Sequence, residues 1–198
     1  MQAFFSGFGL GLSLILAIGA PNAFVLRAGL LQRYVLTVCL TCALSDALLI
    51  YLGVNGFGRF VQSAPLLLDV MRYGGALFLV FYGAKSALSA WRGGAGLQAE
   101  GEFSTLRAAV LTCLALTWLN PHVYLDTVIL LGSVAVQSQQ PQLFGSGAIL
   151  ASFVFFFALG YGAQLLAPLF SKPGAWRILD FGIAIVMFSI AFGLVLSH

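Results

Sequence analysis

Between Val35 and Val54 the chain runs for twenty residues with a single charged side chain, Asp46. A mostly apolar run of about 20 residues is what a helix needs to cross the hydrocarbon core of a bilayer. Inside that core every backbone N–H and C=O must be satisfied without water, so the run fixes an α-helix at membrane depth. Apolar runs of similar length recur at about Ala3–Gly19, Val70–Ala90, Leu106–Val134, Phe144–Pro168 and Ile178–Leu196. Only 8% of the 198 residues are charged and 61% are hydrophobic, whereas a soluble domain carries about 25% charged residues. The expected fold is an all-α integral membrane protein of about six transmembrane helices.

No stretch remains for a soluble domain, so residues 1–198 read as one transmembrane domain. Two halves of three spans, about 1–90 and 105–198, are joined by a Gly-rich linker at 91–104 carrying Glu100 and Glu102. An odd number of spans per half makes the halves inverted repeats. The turns between spans are Asn55-Gly56-Phe57-Gly58-Arg59, Ser138-Gln139-Gln140-Pro141 and Ser171-Lys172-Pro173-Gly174. Arg27, Arg33, Arg92, Arg107, Lys172 and Arg177 fall on one side and Arg59 and Arg72 on the other. By the positive-inside rule the first side is cytoplasmic, which puts both termini outside. A re-entrant segment at Pro21 or Pro121 would change the count and flip one terminus. The apolar N-terminus has no preceding Lys or Arg and is followed by further spans, so it reads as an uncleaved first helix.

The basic residues are scattered and the net charge is only +3, which excludes a nucleic-acid face. Cys39 and Cys42 have C-x-x-C spacing, but neither a βαβ context nor a second ligand pair accompanies them. With Cys113 they read as small apolar packing residues, and no metal or cofactor is expected. Gly7-Phe8-Gly9-Leu10-Gly11 lacks the strand and helix of a nucleotide fingerprint. The Gly7/Gly11 spacing suits close helix packing inside the protein.

Two places break this apolar pattern. In Thr117-Trp118-Leu119-Asn120-Pro121-His122-Val123-Tyr124-Leu125-Asp126-Thr127 a proline forces a kink or break. Five residues later Asp126 puts a carboxylate in the membrane, at a cost of about 2.5–3.5 kcal/mol if unpaired. Pro21-Asn22 interrupts the corresponding helix of the first half, and paired interruptions of this kind point to a transporter's substrate site. Asp46 has only Cys42, Ala43, Leu49 and Ile50 as helical neighbours, so its partner must lie on another helix, in water or in a substrate. His122 and Asp126, four apart, share a helix face and can pair.

Intramembrane acids mark ion or substrate pathways and proton relays. Asp46 and Asp126 on one cavity suit a cationic solute. A half-helix starting near Asn22 or His122 offers open N–H groups to a carboxylate. A basic amino acid carries both groups.

The eleven-residue run from Thr117 to Thr127 resembles the signature of the LysE/ArgO family of basic amino acid exporters, as do Asn22-Ala23-Phe24-Val25-Leu26, Gly29 and Ser45-Asp46. The resemblance covers nearly the whole chain. It implies a bacterial inner-membrane exporter of L-arginine or L-lysine driven by the proton gradient, with the family's paired acids on Asp46 and Asp126 and its first-half asparagine on Asn22. The family typically reads Gly-Pro-Gln-Asn where this chain has Gly19-Ala20-Pro21-Asn22, and the broader superfamily also exports neutral amino acids and some cations. The expected substrate-binding residues are Pro21, Asn22, Asp46, Asn120, Pro121, His122, Tyr124 and Asp126. Asp46 and Asp126 also carry the proton, and the halves alternate access around them. Expected partners are a basic amino acid, protons and the lipid bilayer; a homo-oligomer stays open. An intramembrane aspartyl protease is the rival from another class, but it resembles Tyr-Asp and Gly-x-Gly-Asp motifs, and neither is present.

Overall fold

The computed structural model describes residues 1–16, 19–56, 65–92, 103–171 and 173–196. These are helical, with no strand among the described residues. In chain order the helices are α1 (Gln2–Ile15), α2 (Ala20–Leu31), α3 (Val35–Val54), α4 (Pro65–Trp91), α5 (Leu106–Trp118), α6 (Pro121–Gln137), α7 (Pro141–Leu166) and α8 (Pro173–Leu196). A short 3₁₀ turn, Ala167–Ser171, follows α7.

Among the described residues, three helices are long and apolar enough to cross a membrane: Val35–Val54, Pro141–Phe170 and Gly174–Leu196. The count rises to five if each bent pair, α1 with α2 and α5 with α6, is one span. The helix α4 has 27 residues but carries Asp69, Arg72 and Lys85 and falls outside that set. A broken helix followed by two long ones thus occurs twice along the chain.

The α3 boundaries match the expected span. The first expected span, to Gly19, instead ends at Ile15, because the Asn22 side-chain amide donates to the Ile15 carbonyl at 2.8 Å and closes the helix end there. Gly19 is extended and Pro21 sits in the first turn of α2, where its missing N–H costs nothing. Gly56 turns the chain at φ 86°. Phe57–Arg59 of the expected turn, residues 93–102 of the linker and Lys172 lie outside the described residues. The far end of the linker is not loose: Phe103 is fully buried and stacks on Phe24 with ring centroids 4.7 Å apart.

Glycine sets the closest helix crossings. A Cβ at Gly7 would overlap the Phe144 carbonyl, one at Gly147 the Phe4 carbonyl, and one at Gly11 would come within 2.9 Å of Ala148 Cα. The Gly7/Gly11 stripe is therefore spent inside the chain, holding α1 along α7. At a second crossing, Gly53 of α3 faces the Thr127 and Val128 carbonyls at 2.8 Å, and Gly132 of α6 faces the Gly53 carbonyl at 2.6 Å, both measured from the position a Cβ would take. That backbone contact sets the Asp46 helix beside the Asp126 helix. The remaining long pair is α4 with α8.

One expectation fails outright. Arg27 was assigned to a cytoplasmic loop, yet it lies inside α2, is 0% exposed, and forms an ion pair with Asp180 of α8. Ser89 Oγ donates to the other Asp180 oxygen at 2.6 Å, and Arg27 Nη1 donates to Tyr82 Oη at 3.3 Å. A buried guanidinium beside a carboxylate is not a topology signal, so Arg27 leaves the positive-inside count. Asp180 is also a further buried acid, on a helix long and apolar enough to cross a membrane, that the sequence pattern did not single out.

Candidate functional site

At the second break, α5 stops at Leu119 and α6 starts at a 61° angle to it. Asn120 is extended, and its Oδ1 accepts the His122 N–H at 3.1 Å, the bond an N-cap makes. The Val123 N–H donates to the Asn120 carbonyl at 3.1 Å. The donors expected to stand open near His122 are therefore engaged by Asn120. Pro121, in the first turn, has no N–H to offer.

Beyond Val123 the helix changes pitch. Tyr124–Leu130 is a π-helix containing Asp126 and Thr127. Such segments are rare and frequent at functional sites. His122 lies just ahead of this segment and Asp126 inside it, and both face the same cavity. Among the described residues no hydrogen bond or ion pair joins the two, so the pairing their spacing allows is not made.

A cavity of about 190 Å³ lies where the two breaks meet, room for several waters or the polar head of a small solute. Six of the eight expected residues line it: Pro21 and Asn22 from α2, Asp46 from α3, Asn120 from the break, and His122 and Asp126 from α6. Two do not. Pro121 is buried behind it, and Tyr124 braces the break, its hydroxyl donating to the Trp118 carbonyl at 2.9 Å and its ring edge-on to Trp118. Trp118 in turn donates from Nε1 to Ser45 Oγ at 3.1 Å, tying α5 to α3.

Asp46 is buried, and its partner comes from another helix: Ser152 Oγ on α7 donates to Asp46 Oδ2 at 2.9 Å. Asp126 is half-buried and His122 exposed. Sequence reasoning missed Ser152, which holds Asp46, and also Thr127, Phe156 and Ile190, which are among the lining residues. Ala148, Ser152 and Phe156, four residues apart, form a buried face of α7 in the structure. We expect Ser152→Ala to leave a buried carboxylate oxygen short of a donor, costing about 1–3 kcal/mol. Unfolding midpoints in detergent measure this, and an unchanged midpoint would show that water replaces the hydroxyl.

The C-x-x-C spacing splits between two partners. Cys39 Sγ donates to the Phe156 carbonyl at 3.2 Å, while Cys42 Sγ lies 3.2 Å from Cys113 Sγ on α5. All three are buried free thiols. Among the described residues no three His, Cys, Asp or Glu side chains gather as a metal site.

Two broken apolar helices meeting at an acid-lined cavity are the architecture of a membrane translocator. The chain belongs to the LysE type translocator family, whose profile matches residues 12–198. Members are transporters, not enzymes. A Mycobacterium tuberculosis protein named, provisionally, as an amino-acid transporter is 44% identical over 181 residues, covering 91% of this chain and 90% of its own length. The arginine exporter protein ArgO of Yersinia enterocolitica is 39% identical over 197 residues, covering 98% of this chain and 96% of its own. ArgO of Salmonella paratyphi A is 40% identical over 194 residues, covering 96% and 92%. No solved structure matches the chain.

Proposed function

We propose that the protein exports basic amino acids, L-arginine or L-lysine, from the cytoplasm across the bacterial inner membrane in exchange for protons. The observation that carries this reading is that Asp46 and Asp126, from helices eighty residues apart in the chain, open on one cavity beside both helix breaks. The names of the ArgO relatives agree with it. In this reading the bent pairs each cross once, α4 crosses as well, and the two halves of three spans are inverted repeats.

The substrate's side-chain cation sits against Asp46 and Asp126, while His122 and the start of α2 at Asn22 face its carboxylate. Asn120 shapes the break, with Pro121 and Tyr124 supporting it from behind. Moving a cation outward against an inside-negative potential costs about 2.3 kcal/mol per 100 mV. An incoming proton cancels that charge movement, so the solute and pH gradients remain as the drive. The acids hold the substrate cation on the way out and the proton on the way back, as the two halves rock around the cavity.

Efflux of radiolabelled arginine and lysine from preloaded cells, with and without an uncoupler, tests the proposal. Efflux that rises with expression of the protein and falls on collapse of the proton gradient is expected. Efflux insensitive to the uncoupler would remove the coupling. Export of neutral amino acids alone would move the substrate class and give the Ala20-Pro21 step that role.

A further inference from the structure

The cavity uses only the front of α2. Its other end is held by a charge pair to which transport as described above assigns no role. Arg27 follows Asn22 by five residues, about 7.5 Å along the helix axis. Its guanidinium reaches α8 at Asp180 and α4 at Tyr82, and Asp180, 2% exposed, also accepts from Ser89 of α4. Three helices therefore converge on one buried ion pair. The α4–α8 pair, packed along its length, meets α2 over only a small area.

The pair is an unusual choice for packing alone. Replacing both members of a buried ion pair with well-fitted apolar residues is often neutral or stabilising. What a guanidinium adds is direction, because its planar fork fixes the angle at which partners approach. That angle reaches the cavity twice. From Arg27 the rigid α2 leads back to Asn22, and from Asp180 the rigid α8 leads to Ile190, and both Asn22 and Ile190 line the cavity.

We propose that Arg27 and Asp180 form a latch that positions α2 relative to α8, and with it Pro21 and Asn22 at the cavity. They are positioning residues and do not touch the solute. The latch rests on the proposed export only for the identity of that solute.

The test is R27M/D180L, examined in two ways. Asn22→Cys is introduced into the unaltered and the R27M/D180L proteins, and its labelling by a small maleimide is timed on purified protein. The native Cys39, Cys42 and Cys113 are 0% exposed and stay silent. Arginine and lysine efflux is measured separately with Asn22 intact. We expect R27M/D180L to fold, to change the labelling rate by roughly threefold or more, and to lower efflux by about tenfold, the loss of about one charge-assisted hydrogen bond. The reversed pair R27D/D180R restores part of both. A folded R27M/D180L with the parental labelling rate, or with full parental efflux, overturns the latch. If R27M/D180L does not insert, Asp180→Asn replaces it with the same two readings. If the parent exports neither amino acid, the export reading fails, while the labelling rate still decides the latch.

Discussion

Asp46→Asn and Asp126→Asn, each inserted at the parental level, are expected to reduce arginine and lysine efflux by on the order of thirtyfold or more, the loss that follows when one member of a desolvated charge pair is neutralised. The substitution is informative because it changes little else. Asparagine has nearly the shape of aspartate, and its Oδ1 still accepts the hydrogen bond that Ser152 Oγ gives Asp46 at 2.9 Å. What disappears is the negative charge and the capacity to take up a proton. Asp46, buried on α3, and Asp126, half-buried in the π segment of α6, line the same cavity from two sides. Both should therefore be required. Full efflux from both variants would take the carboxylates out of the mechanism. Loss in only one would assign the cation and the proton to a single acid.

A second large effect is expected from two adjacent glycines that behave oppositely. On α4, a Cβ at Gly75 would overlap the Leu119 carbonyl and come within 2.8 Å of Pro121 Cδ, whereas one at Gly74 meets nothing within 4 Å. Gly75 is thus where α4 lies directly on the break that shapes the cavity. Neither contact atom can yield as a flexible side-chain end would, since one belongs to the main chain and the other to a proline ring. Gly75→Ala is expected to lower stability by about 1–3 kcal/mol through overpacking and to impair efflux, because relief requires the Leu119–Pro121 step to move. Gly74→Ala should leave both unchanged. Unfolding midpoints in detergent together with efflux compare the pair. Equal behaviour of the two variants would mean that α4 does not support the break.

How far the sequence reveals this arrangement depends on the range of the interaction. Pro121 announces the second break because a missing N–H is a property of one residue, and the single charge in Val35–Val54 announces Asp46 for the same reason. The two breaks and two acids were legible, and six of the eight expected site residues reach the cavity. Arg27 was misassigned because an arginine shortly after an apolar span looks like a loop anchor, and its partner Asp180 lies 153 residues away. Ser152 was overlooked because a serine in an apolar helix looks the same whether it fills space or donates to an acid. Tyr124 was given to the site for its place in the signature, yet its hydroxyl is committed to the Trp118 carbonyl. The open donors expected near His122 disappear once Asn120 adopts the cap geometry, which depends on backbone angles that residue types alone do not dictate.

The wide turn at Tyr124–Leu130 gives α6 two phases. Each residue of an α-helix advances the chain by about 100° around its axis, so taking up about one extra residue rotates everything downstream by that amount. Ahead of the segment His122 and Val123 address the cavity; after it Gly132 is turned onto Gly53. A helix of constant pitch through the same residues could not aim both ends this way, and a periodicity read straight through from Pro121 to Gln137 would mis-assign one face. Because the wide turns absorb the extra residue, a single-residue deletion inside the segment would restore α-helical pitch with both ends still facing their partners.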